Sequence, residues 1–107
     1  MTKCEFFRDH ERITGFSVSG HSGYAEAGDD IVCAAVSAVV DMAETTINDV
    51  CGGKAKTRVT EEDARITLTL PSVCEEEETI QAVLAGMMLY LINLRDKFED
   101  YIEVLEV

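Results

Sequence analysis

The spacing of apolar residues changes from a period of about two to one of 3.6 and back, twice over, within 107 residues. A strand presents alternate side chains to one face and a helix every third or fourth, so the switching fixes the order of elements before any motif is considered. Residues 3 to 8 and 12 to 19 are short runs rich in β-formers, joined by the polar Asp9-His10-Glu11, which is the pattern of a hairpin. In the second run Thr14, Phe16 and Val18 share one face, and Ile13, Gly15, Ser17 and Ser19 the other. From Asp30 to about Val50 the set Val32, Val36, Val39, Val40, Ala43, Ile47 and Val50 follows helical spacing, and Gly52-Gly53 ends it. Residues 54 to 60 and 64 to 70 flank Glu61-Glu62-Asp63, with Ile66, Leu68 and Leu70 alternating against Arg65, Thr67 and Thr69. This is a second, half-buried hairpin.

Pro71 stops that hairpin, and Ser72 with Glu75 has the form of a capping box for a second helix. Ile80, Val83, Leu84, Met87, Leu91, Leu94 and Phe98 form its buried face, and Tyr101 to Val107 read as a closing strand. The order ββαββαβ predicts an α+β fold: a mostly antiparallel sheet of about five strands covered by two long helices, one domain over residues 1 to 107. Met87, Met88, Tyr90 and Ile92 make the second helix apolar around more of its circumference than one sheet face requires. A homodimer is expected on that ground.

Composition narrows the partners. The chain holds 21 acidic and 9 basic residues, a formal net charge of -12, which opposes any nonspecific hold on phosphate backbones. Direct binding of nucleic acid is therefore not expected, whereas a basic protein or peptide would be drawn in. Residues 80 to 92 are strongly apolar but too short for a membrane span, and with no secretory leader a cytoplasmic protein is expected. Cysteines at 4, 33, 51 and 74 form no C-x-x-C pair. They read as thiols, with no metal site and no cofactor implied.

Chemistry concentrates between residues 20 and 37. Gly20, Gly23 and Gly28 break all periodicity, so residues 20 to 29, including Ser22, Tyr24 and Asp29, read as a mobile loop able to fold over a substrate. His21 opens that loop and Cys33 follows it. The spacing places Cys33 in the helix's first turn, where unpaired N–H groups and the positive dipole end favour a thiolate and can face an oxyanion. Asp29 or Asp30 can cap the helix, and Asp30 is the favoured candidate to orient the histidine. On spacing alone two readings stand side by side: a nucleophile with its general base, or a buried packing cysteine among small neighbours. His10 lies in the first turn as a solvated residue. Cys4, Cys51 and Cys74 read as buried thiols, Cys51 packing at a helix end.

The run Gly20-His21-Ser22-Gly23-Tyr24-Ala25, followed by Gly28-Asp29-Asp30-Ile31-Val32-Cys33-Ala34-Ala35-Val36-Ser37, closely resembles the signature of the bacterial ribosomal-processing cysteine proteases, the Prp or YsxB-like family. Outside residues 20 to 37 the likeness is one of length, element order and acidity. The resemblance implies a cysteine endopeptidase that removes a short N-terminal extension from large-subunit ribosomal protein twenty-seven, cutting after an apolar, phenylalanine-containing sequence. By position Cys33 matches the family nucleophile and His21 its general base, while Asp30 precedes the isoleucine-valine-cysteine run. Ser22 stands where the family more often has alanine. Two other classes compete: a non-catalytic ribosome-associated binding module of the same fold, and a thiol redox or metal protein.

Overall fold

Two strands of opposite direction joined by a two-residue turn open the fold: β1 (Thr2–Asp9) and β2 (Arg12–Ser19). The computed structural model describes residues 1–20 and 27–107, with residues 27–30 described by their backbone alone. His10 turns the corner at φ 57°, a region that histidine enters more readily than most residues, and its side chain is fully solvated. Helix α1 (Ala27–Thr45) follows, and its last turn widens into a π-helical turn over Thr46–Val50. Strands β3 (Lys56–Thr60) and β4 (Arg65–Thr69), helix α2 (Glu77–Lys97) and strand β5 (Ile102–Glu106) complete the expected order.

The strands lie side by side as β3-β4-β2-β1-β5. Every pairing is antiparallel except β1 with β5. Because β2 and β3 flank β4, they run parallel, and α1 is the crossover between them. Helix α2 is likewise the crossover from β4 to the parallel β5 in the opposite lateral direction. Right-handed crossovers then put both helices on the same face of the sheet. That face holds the core: Cys4, Phe6, Phe16, Val18 and Leu68 from the strands meet Val32, Val36, Val40, Ala43 and Ile47 from α1, with Ile80, Leu84, Met87 and Leu91 from α2. The Phe6 and Phe16 rings pair across the first hairpin at 6.1 Å and 45°, within the range of attractive tilted geometry. The other face carries Lys3, Glu5, Lys56, Arg58, Arg65 and Thr67, with Phe7 and Leu105 its apolar residues by register.

Ile31–Val50 is long and apolar enough to cross a membrane by length and composition. Its sheet-facing stripe is instead part of the core, which is why it is so apolar.

The strand alternation breaks at one point. The β1–β2 register shifts between Phe7 and Arg8, so that Phe7 faces Gly15 while Arg8 faces Ile13. Thr14 is the extra residue of a bulge, and the slip turns Ile13 onto the core side, where it is buried beside Phe16 and Val18 rather than opposite them. The backbone N–H and C=O of Ile13 are met by the Gln81 side chain, whose Oε1 accepts at 2.8 Å and whose Nε2 donates at 2.8 Å.

Three expectations are corrected. Helix α1 begins at Ala27, so Gly28 and Asp29 belong to it and not to the preceding loop, and neither Asp29 nor Asp30 occupies a cap position. Two aspartates in the first turn suit the positive helix end, which offsets the cost of a helical glycine of roughly 1 kcal/mol. The Ser72–Glu75 capping box does not form: α2 starts at Glu77 after Glu76 in the left-handed region, with no side-chain cap. Arg12 organises this corner instead, donating to Glu77 at 2.6 Å and to the Pro71 carbonyl at 2.7 Å. Finally, Met87 and Met88, offered as part of a dimer face, are buried in the chain's own core, leaving Leu89 and Tyr90 exposed on α2.

Candidate active site

Cys33 stands at one end of a cleft between α1 and the sheet. The cleft has a volume of about 310 Å³, at the small end for ligand sites. Positions 33, 36, 37, 40 and 41 of α1 form one wall by helical spacing, and Val18, Ser19, Val59 and Ile66 of the sheet form the other. The apolar walls follow from the fold, since β3 ends the sheet and its Val59, at 67% exposure, is left uncovered. Such walls accept an apolar side chain.

Cys33 is the seventh residue of α1, not a first-turn residue. At 1.5 Å per residue it lies about 9 Å from the start of the helix, where its own N–H belongs to the helical ladder and the dipole's pull has largely decayed. The first-turn argument for thiolate and oxyanion stabilisation is therefore corrected. Cys33 is 8% exposed, and Thr2 Oγ1 lies 3.8 Å from its Sγ.

Gly20, the last residue before His21, is held firmly. Its N–H donates to the Asp63 carbonyl at 3.2 Å, tying the end of β2 to the β3–β4 turn. Its φ is +85°, and a Cβ there would meet the Met1 carbonyl oxygen at 2.3 Å, so only glycine fits. His21, Ser22, Gly23 and Tyr24 lie outside the described residues, as do the side chains of Gly28, Asp29 and Asp30. By backbone position Asp30 is the fourth residue of α1, three before Cys33.

The other thiols are accounted for locally. None of the four cysteines is in a disulfide. Cys4 is completely buried in the core, and that burial pushes its pKa up to about 12. Cys51 closes the π-helical turn and is buried, as a helix-end packer. Cys74 is only half-buried, unlike the expectation, and accepts from Arg12 Nη2 at 3.7 Å. Among the described residues no cluster of three or more histidine, cysteine, aspartate or glutamate side chains is arranged to hold a metal ion. Sequence reasoning missed Thr2, a residue of unremarkable type whose closeness to Cys33 depends on the packing of β1 against α1.

The chain matches the family model described as cysteine protease Prp over residues 1–103. It is 27% identical over 107 residues to the ribosomal processing cysteine protease Prp of Bacillus subtilis, covering 97% of this chain and 96% of that one. Its fold is similar to that of the essential ribosomal processing protease Prp from S. aureus in complex with a substrate peptide: TM-score 0.88, 18% identity, 100% of both chains. The same protease with a covalently linked product peptide superposes at a TM-score of 0.83, with 20% identity over 100% of both chains. The Streptococcus mutans protein SMU.848 is similar at a TM-score of 0.89 and 22% identity, over 100% of this chain and 94% of that one. With a match that spans nearly its whole length, the chain belongs to the Prp family of cysteine proteases.

Proposed function

We propose that this protease removes the N-terminal extension of the bacterial large-subunit ribosomal protein twenty-seven, with Cys33 as nucleophile and His21 as general base. The observation that carries the reading is a buried cysteine closing one end of an apolar cleft, in a chain whose relatives act in ribosomal processing. The strongly acidic chain also suits a basic ribosomal protein, whose association it would accelerate.

In the proposed reaction an apolar stretch of the substrate occupies the cleft beside Val36, Val40 and Ile66, which sets the scissile carbonyl against Cys33 Sγ. His21 takes the Cys33 proton, the resulting thiolate attacks the carbonyl carbon, and the imidazolium returns that proton to the departing amine as the C–N bond breaks. Water then hydrolyses the thioester, releasing the acid and restoring the thiol. Asp30 orients His21 in this scheme. Loop residues Ser22, Gly23 and Tyr24 contact the substrate. Cytoplasmic residence and a homodimer, the latter resting on exposed Leu89 and Tyr90, belong to the same proposal.

Incubation of the reduced protein with the extended ribosomal protein, followed by mass spectrometry, is the test. The expected result is a single shortened product, absent with Cys33→Ala and reduced by several orders of magnitude with His21→Ala. An intact substrate after exposure to the wild type under reducing conditions would overturn the reading in favour of a binding module.

A further inference from the structure

We infer that Thr2 is a positioning residue for the cysteine, its hydroxyl holding Cys33 Sγ where it lines the cleft. The two residues come from elements 31 positions apart in sequence, yet Thr2 Oγ1 sits 3.8 Å from the sulfur. Thr2 is 3% exposed, too enclosed to leave its hydroxyl to bulk water. No buried side-chain nitrogen or oxygen among the described residues lacks a partner, and Cys33 Sγ is the partner this hydroxyl has. Its backbone is equally fixed. The Thr2 N–H donates to the Tyr101 carbonyl at 2.9 Å, and the residue pairs with Ile102 in the parallel β1–β5 ladder. The neighbouring Met1 carbonyl abuts Gly20, which leads into His21. One short segment of β1 thus borders both the cysteine and the approach to the histidine.

The chemistry of a hydroxyl at a sulfur has a signature. Donating a hydrogen bond to the thiolate raises the fraction of sulfur ionised at neutral pH and, by drawing on the same lone pair, lowers the reactivity of each thiolate. The second effect is smaller, because nucleophilicity changes by only about 0.4–0.5 of the change in basicity. A bond of ordinary strength corresponds to about fivefold in thiolate fraction, of which about twofold is returned. Loss of the hydroxyl therefore slows reaction at neutral pH and quickens it once every sulfur is ionised. Simple loss of packing has no such crossing.

The inference rests on Cys33 being the nucleophile proposed above, and one set of measurements separates the two. Iodoacetamide labelling of Cys33 is followed by peptide mapping from pH 6 to 10.5 in the wild type, Thr2→Val, Thr2→Ala and Thr2→Ser, together with peptide cleavage at pH 7. In the hydroxyl-free variants we expect labelling at pH 7 about two- to threefold slower, an alkaline plateau about twofold higher, and a lower kcat at unchanged KM. Thr2→Ser is expected to follow the wild type. A wild-type labelling profile in either folded hydroxyl-free variant overturns the assignment. So does a rate reduced equally at every pH, or a Thr2→Ser profile displaced as far as that of Thr2→Val. Cleavage that survives Cys33→Ala instead removes the nucleophile itself and, with it, the reading on which Thr2 depends.

Discussion

Replacing Gln81 with methionine tests the account of how the first hairpin is seated on α2. The amide is bonded twice to one residue, accepting from the Ile13 N–H and donating to the Ile13 carbonyl, both at 2.8 Å. Methionine keeps the length and flexibility of the side chain and removes both bonds. Each abandoned backbone group costs about 1–3 kcal/mol when fully buried. Partial solvent access at this site places the pair at about 2–3 kcal/mol. For 107 residues an unfolding entropy of about 2.1 cal/mol/K per residue gives about 0.22 kcal/mol/K, so the melting temperature is expected to fall by about 10 °C. Calorimetry at pH 7 measures it. Gln81→Glu supplies an internal control: its carboxylate faces the Ile13 carbonyl at neutral pH, whereas its protonated form regains a donor, so its deficit shrinks as pH falls towards about 4, the unfolded carboxyl value, and changes no further below it. A Gln81→Met melting point within about 3 °C of the wild type, or a Gln81→Glu deficit that does not respond to pH, would falsify the claim that the amide completes the bulged backbone.

Gly15→Ala is expected to cost at least about 2 kcal/mol in urea denaturation, because the added Cβ would lie 2.1 Å from the Leu68 carbonyl oxygen of the paired strand; wild-type stability would mean that β2 and β4 are not in this register. Burial raises the Cys4 pKa from 9.0 to about 12, so the native thiol stays protonated while the unfolded one ionises. Its contribution is intact below pH 9 and declines as pH climbs towards 12, by about 1.4 kcal/mol per unit. The stability difference between the wild type and Cys4→Val should therefore shift in the variant's favour above pH 9, and a difference independent of pH would count against burial of the thiol. Ser37→Phe, at an exposed cleft position one turn beyond Cys33, should raise KM for the ribosomal peptide about tenfold with stability unchanged within about 0.5 kcal/mol; unaltered KM would place the substrate elsewhere.

The elements were legible because most of their positions obey one periodicity each. Phe6 against Phe16 and Ile66 with Leu68 needed no more than alternation to be placed in the core. Ile13 did not follow, because a bulge moves one residue across the sheet and no local composition announces it. Gln81 was visible only as an interruption in an apolar run, since its purpose is set by a strand 68 positions away. The start of α1 was misplaced for a related reason: Gly28 and two aspartates carry loop character, and the helix absorbs them through its dipole and length. At the candidate site, Cys33 was found by type and neighbourhood. Thr2 was not, because nothing in a threonine near a strand start suggests that a sulfur lies beside it.

The parallel pairing of β1 with β5 bears on the order in which the chain matures. Strands β1 and β2 form a local hairpin that closes as soon as both are synthesised, but until Ile102–Glu106 arrive β1 is an open sheet edge, prone to pairing with other chains. The Tyr101 carbonyl that fixes the backbone of Thr2 arrives equally late. Contacts between residues about a hundred positions apart form slowly, so the environment of the Cys33 sulfur is assembled only after Tyr101 and β5 have left the ribosome. A nascent chain would thus carry Cys33 long before β1 is fixed beside it.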